Sequence, residues 1–227
     1  PIPMSTTSQA IEMGVRLIPL LASIMLVLQL LLLAQRMLVT VIRVFAVQSL
    51  LLAAIAGLVG YTSQSWHVLL VAVLTVIGKV LFLPWLLERL IRRIRIEQEI
   101  SPWLNMPASL LLCGGLTMVG YLVARPFASP DGVGGNTLAV AVALVLTGLF
   151  LLINRRKALT QVLALLTMEN GVMLAAIAFS SHGMPVVVEL GIFFDVVIAV
   201  MVFGLLVYRI RESFSSMDTA RLNELRG

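Results

Sequence analysis

Three ionisable side chains lie deep inside apolar runs of this sequence: Lys79 in LTVIGKVLFLPW, Glu169 in TMENGVMLAA and Asp195 in IFFDVVIAV. A buried carboxylate can take up and release a proton, and a buried ammonium can neutralise one carboxylate. Two carboxylates against one lysine leave a surplus acid, and burial works against the charged form of such a group. That combination of types suits proton exchange. It also suits a static Lys–carboxylate network that only holds helices together, and these residues alone leave both readings open. Asn170 beside Glu169, Gln48 and Glu189 are secondary polar candidates. Glu189 near the end of its run reads first as a solvated rim charge, and His67 and His182, which flank short loops, read as interfacial residues.

Other chemistries lack their residues. The sequence has no phosphate-cradling Gly-rich loop, no cysteine cluster for an iron–sulfur centre and no nucleophile–base arrangement. Its one cysteine, Cys113, sits in SLLLCGGLTMVGYL and reads as a small buried apolar residue. No cofactor, no metal site and no catalysis by this chain alone are therefore expected.

The elements that must position the three charges follow from composition. Of 227 residues, 60% are hydrophobic and 12% are charged, against about 25% charged in soluble domains. There is too little polar surface to cover a water-soluble globule, so the chain reads as an all-α polytopic membrane protein in contact with lipid. About 20 apolar residues cross the hydrocarbon core, and seven runs qualify, over 17–35, 40–61, 66–88, 103–124, 137–153, 159–180 and 185–208. They form one membrane domain, 1–227, divided into 17–100 (three spans), 101–136 (the fourth span and a Pro- and Gly-rich outer loop) and 137–227 (three spans and a tail). Residues 1–16 lack the basic start and short apolar core of a cleavable signal peptide. Pro84, five residues beyond Lys79, is expected to kink the third span.

The net charge of +5 does not point to nucleic acid, because the basic residues sit in short clusters between apolar runs. Arg36, Arg43, Arg89, Arg92, Arg93, Arg95, Arg155, Arg156, Lys157, Arg209, Arg211, Arg221 and Arg226 all fall on one side of a seven-span chain, and only Arg16 and Arg125 fall on the other. The positive-inside rule then places the C-terminus in the cytoplasm and the N-terminus outside. With a rise of about 1.5 Å per residue, Glu169 lies roughly 15 Å from the cytoplasmic end of its span. By the same rise Asp195 lies roughly 14 Å, and Lys79 roughly 20 Å, from the outer ends of theirs. All three are near one level, where a charged side chain costs about 2.5–3.5 kcal/mol on insertion scales. VQSLLLAAIAG (47–57) is similar to ENGVMLAAIAF (169–179), as in a parallel repeat of a three-helix unit, and this alignment sets Gln48 opposite Asn170.

GKVLFLPWLLERL (78–90), LALLTMENGVMLAAIAF (163–179) and VVVELGIFFDVVIAVMV (186–202) resemble the hydrogenase-4 component E family of formate hydrogenlyase-type and related group 4 [NiFe]-hydrogenase complexes, along nearly the whole chain. The C-terminal half is also similar to subunit K of respiratory complex I and to the C subunit of multisubunit cation/proton antiporters. The resemblance implies a prokaryotic inner-membrane protein beside antiporter-like membrane subunits, an H-like membrane subunit of the complex I type and a hydrogenase or dehydrogenase peripheral arm. The NiFe centre and iron–sulfur clusters would belong to those partners. It also implies a proton path through two intramembrane carboxylates on neighbouring helices; Glu169 matches the first, and Asp195 falls where the second would be. Two further readings stand beside it: a structural packing subunit, and an antiporter subunit with no redox arm.

The charge pattern makes a direct prediction. Reporter fusions or cysteine labels in the 125–136 loop and in the 218–227 tail report opposite sides of the membrane; the same side for both ends the seven-span topology.

Overall fold

The computed structural model describes residues 4–94, 103–127 and 133–180, together with Gly204. These residues are helical, with no β-strand among them beyond isolated bridge positions at Met37 and Arg155. In chain order the helices are α1 (Met4–Ala34), α2 (Leu38–Thr62), α3 (Trp66–Thr75), a π-helical segment (Val76–Phe82), α4 (Leu83–Ile94), α5 (Met106–Ala124), α6 (Val133–Asn154) and α7 (Ala158–Ser180). A short 3-10 turn, Arg125–Phe127, follows α5. Six stretches are long and apolar enough to cross a membrane: Arg16–Ala34, Leu38–Thr62, Trp66–Arg89, Met106–Phe127, Gly135–Asn154 and Leu159–Ala178. They coincide within a few residues with the first six runs expected from the sequence. The expected span 185–208, the outer-loop residue His182 and the basic tail lie outside the described residues. The first helix begins well before its apolar run, at Met4.

The short turns at 35–37, 63–65 and 155–157 set successive helices antiparallel. The α2–α3 turn closes the end of α2 with backbone bonds from Ser65 N–H to the Gly60 carbonyl (3.1 Å) and from Gln64 N–H to that of Tyr61 (3.4 Å). This closure needs a left-handed residue, here Gln64 at φ 50°. α6 packs against α5, α7 and α1, and α2 packs against α1, α7 and the third span. Among the described spans α7 is the most enclosed and α5 the least.

Two apolar clusters make the core. One gathers Leu32, Leu38, Phe45, Leu87, Phe150 and Leu163 toward the α1–α2 and α6–α7 turns. The other gathers Met25, Leu52, Val71, Leu144, Met173 and Ile177 toward the α2–α3 turn. Between them lies a layer of buried polar side chains: Gln29, Gln48, Ser49, Thr75, Lys79, Thr147, Thr167, Glu169 and Asn170. Thr75 and Thr147 are satisfied within their own helices, donating to the carbonyls of Val71 (2.8 Å) and Ala143 (2.7 Å). The others reach across helices.

The expected kink at Pro84 takes a different form, a wide turn centred one helical turn earlier on Lys79. Pro84 has no N–H to give, and its ring crowds the carbonyl of Val80 four residues back. The helix widens just before it, and the Leu83 N–H donates to the Gly78 carbonyl five residues earlier. π turns of this kind let a membrane helix absorb a proline without stranding its backbone groups.

Glycine brings α7 against α6 at the level of Glu169. A Cβ on Gly148 would lie 2.7 Å from the Met168 Cα, and one on Gly171 would lie 2.8 Å from the Val145 nitrogen. The sequence marks Gly114, Gly115, Gly120, Gly171 and Ala175 as small-residue faces suited to contact with other helices; of these, Gly120 already meets Ala143 on α6 and Gly171 meets Val145. Among the described residues, none packed against α5 comes within 4 Å of a Cβ on Gly114 or Gly115.

Overpacking a filled site of this kind costs about 1–3 kcal/mol or more. Gly171→Val is therefore expected to lower the thermal stability of the detergent-solubilised assembly, read by the melting of this subunit's association. Gly114→Ala, which meets no packed neighbour among the described residues, is the control. Equal stability of Gly171→Val and the parent contradicts the tight α6–α7 contact.

Candidate functional site

The site is built from four helices. Lys79 comes from the π-helical segment, Glu169, Asn170 and Thr167 from α7, Gln48 and Ser49 from α2, and Gln29 from α1. The Lys79 Nζ donates to Glu169 Oε1 at 2.7 Å and to Asn170 Oδ1 at 3.3 Å. Lys79 is 6% exposed and Glu169 2%, so the pair is shut inside the bundle. Asn170 passes the contact on: its Nδ2 donates to Gln48 Oε1 at 3.3 Å and to Ser49 Oγ at 3.1 Å. Gln48 Nε2 donates to Gln29 Oε1 at 2.9 Å and to the Met25 carbonyl at 3.2 Å. Gln29 Nε2 donates to Thr167 Oγ1 at 3.4 Å, and that hydroxyl donates to the Ala164 carbonyl at 2.8 Å.

Local sequence explains the aim of each group. The π turn sets Lys79 on the inner side of a span whose neighbours Ile77, Leu81 and Phe82 face outward. On α2, Gln48 and Ser49 lie between Phe45 and Leu52, which belong to the two apolar clusters, so burying those residues carries the polar pair inward. On α7, Leu166 and Met173 bracket Thr167, Glu169 and Asn170 in the same way. The chemistry available is limited and specific. A carboxylate can take up and release a proton, an ammonium donates hydrogen bonds and accepts none, and amides and hydroxyls both donate and accept hydrogen bonds.

The structure brings together four residues singled out in the sequence, Lys79, Glu169, Asn170 and Gln48. Asp195 and Glu189 lie outside the described residues. His67 is exposed and stacks on Trp66, ring centroids 4.1 Å apart, away from the site. Cys113 is buried and free. Among the described residues, no group of three or more His, Cys, Asp or Glu is placed to hold a metal ion. Gln29, Ser49 and Thr167 escaped a reading keyed to charge. The signal for Gln29 was present in LVLQLLLLAQ, where an amide interrupts an apolar stretch.

Arg155, a topology charge by sequence, has a structural role as well. It is 3% exposed. Its Nη2 donates to the carbonyls of Leu32 (3.1 Å) and Leu33 (3.2 Å), closing the C-terminal end of α1. A cation there meets the negative end of the helix, while burial pushes its pKa below the usual arginine value. Next to it, Asn154 Oδ1 accepts from the Leu104 N–H at 2.9 Å, and Arg156 lies 4.1 Å over the Trp103 ring. The α6–α7 corner thus fixes α1, α5 and α7 at one end of the bundle.

Removing one member of a buried pair costs about 3–5 kcal/mol, because the other is left charged and dry. Lys79→Met is expected to lower the amount of assembled subunit in membranes, and Lys79→Met combined with Glu169→Gln to recover it. Quantitative immunoblotting of the purified assembly reads both. A double variant no better than Lys79→Met contradicts the ion pair as the cause.

Residues 136–227 match the family described as NADH-ubiquinone/plastoquinone oxidoreductase chain 4L. An uncharacterized protein of Mycobacterium tuberculosis is 35% identical over 189 residues, 82% of this chain and 85% of that relative. Hydrogenase-4 component E of Escherichia coli is 28% identical over 186 residues, 81% of this chain and 85% of its own length, and that of Shigella flexneri matches equally. No solved structure matches.

Proposed function

This chain belongs to the hydrogenase-4 component E family and is a multi-pass membrane subunit of an energy-converting oxidoreductase complex, and from that premise we propose that it carries part of a proton-transfer path linking a redox arm to antiporter-like membrane subunits. Glu169 is the group that changes charge. The observation that carries this reading is the 2.7 Å contact between Lys79 Nζ and Glu169 Oε1 inside a bundle of membrane-span helices. A proton arriving at Glu169 turns a neutral ion pair into a neutral acid beside a cation, and its departure restores the pair. Asp195, one span on by sequence, is the second station, with Glu189 nearer the outer face.

The complex in this reading sits in a prokaryotic inner membrane. Seven spans put the C-terminus in the cytoplasm, where a hydrogenase or dehydrogenase arm with its NiFe and iron–sulfur centres docks. An antiporter-like subunit and an H-like membrane subunit of the complex I type lie alongside. The mostly exposed face of α5, with Leu111, Met118 and Tyr121, suits lipid or such a neighbour equally.

A second reading has its own support. The pair and its amides join four helices, as a static network in a packing subunit would. Glu169→Gln separates the two. The Gln carbonyl still accepts from Lys79, so although losing the counter-charge lowers the amount of assembled complex, electron transfer to artificial acceptors per assembled complex is expected to stay near the parental level. Redox-coupled proton uptake or membrane potential in vesicles, normalised to subunit content, is expected to fall strongly, with Asp195→Asn acting alike but less severely. Normal coupling in the Glu169→Gln complex sinks the relay and leaves the packing role.

A further inference from the structure

The polar contacts beyond the ion pair run in one direction. Lys79 can only donate, so the face of Asn170 toward it must be the carbonyl Oδ1. That turns Nδ2 toward α2, where it donates to Gln48 Oε1 and Ser49 Oγ. From the far end the same direction is imposed independently. The Met25 and Ala164 carbonyls can only accept, so Gln48 must turn its Nε2 toward Met25, and the Thr167 hydroxyl must point its proton at Ala164. Gln29 then fits in one way, accepting from Gln48 through Oε1 and donating to Thr167 through Nε2. Turning any one amide around sets donor against donor or oxygen against oxygen.

We propose that Asn170, Gln48, Gln29 and Thr167 form a one-way hydrogen-bond chain that positions Lys79, presenting an acceptor to its ammonium whether or not Glu169 is charged. The proposal rests on the reading of Glu169 as the exchanging group. When Glu169 takes a proton, the ammonium no longer faces a carboxylate on α7. Asn170 Oδ1, already 3.3 Å from Nζ, remains, and its acceptor strength is reinforced by the bonds behind it, since aligned hydrogen bonds polarise one another. Lys79 therefore stays at the site through the exchange. The amides pass no proton, so the chain also closes the α1–α2 side to transfer, and the exchanged proton leaves Glu169 by another face. These four are positioning residues.

The test uses the assembled complex. Gln48→Met breaks the chain at its centre without touching Lys79 or Glu169. It is expected to lower proton translocation per electron about fivefold, the worth of a single net hydrogen bond, at parental subunit content. In a structure of that complex, Asn170 Nδ2 keeps only Ser49 Oγ behind it, and Nζ draws away from Oδ1. At the far end, Thr167→Val, which keeps the shape and loses the hydroxyl, is expected to lower translocation, and Thr167→Ser to restore it. Parental translocation in Gln48→Met, or reduced translocation with Lys79 unmoved, overturns the proposal. If Gln48→Met fails to assemble, the Thr167 pair decides alone, and equal translocation by Thr167→Val and Thr167→Ser overturns it. Normal coupling in Glu169→Gln removes the relay reading only; the position of Lys79 in the Gln48→Met complex still decides the positioning.

Discussion

A lysine and a glutamate that meet where water does not reach set the terms for the rest of the bundle. Either charge alone is costly inside a membrane-spanning protein, so the helices that carry them, the third span and α7, must stay in register to within a side chain's reach. Every other polar atom near them inherits the same demand, because an unsatisfied donor or acceptor in a dry interior is nearly as unwelcome as a charge. The outcome is one polar layer between two apolar clusters, with each buried amide committed to a partner on another helix. Apolar packing in a membrane is nearly indifferent to rotation about a helix axis, since lipid tails are as apolar as leucine. The layer is not indifferent: turning α2 by one residue would swing Gln48 and Ser49 away from Asn170.

The backbone devices serve the same layer. Gly148 and Gly171 let α7 approach α6 on either side of Glu169 in sequence, and the π turn before Pro84 faces Lys79 toward α7. At the end of the bundle, Arg155 closes α1 with a side chain from the α6–α7 corner. That is a tie between distant parts of the chain which no apolar contact could orient so sharply.

The positions of six spans were legible in the sequence, because span length is set by membrane thickness and apolar runs of that length have no other reading. Lys79, Glu169 and Asn170 stood out by their cost in such runs, and Gln48 by its place opposite Asn170 in a short similarity. Gln29, Ser49 and Thr167 did not. Uncharged polar residues occur in many membrane helices with their hydroxyls or amides satisfied locally, as Thr75 and Thr147 show, and only the assembled helices reveal which ones reach across. Arg155 was legible as a charge near a membrane edge but not as a cap, since the carbonyls it closes lie 123 and 122 residues earlier. The wide turn at Lys79 could not be told from a kink, because Pro84 announces a disturbance without fixing its form.

Those separations along the chain have a consequence for how the protein is made. Lys79 and Glu169 are 90 residues apart. At synthesis speeds of about 5–20 residues per second, the lysine exists for roughly 5–18 s before its carboxylate does. For that interval the ammonium has no partner on α7, and its long stem lets the charge reach for the interface while the apolar body of the span stays buried. The α1 carbonyls wait longer still for Arg155. The first half of the protein is thus born incomplete, and the emergence of the single 155–170 stretch closes first the end of α1 and then the polar layer.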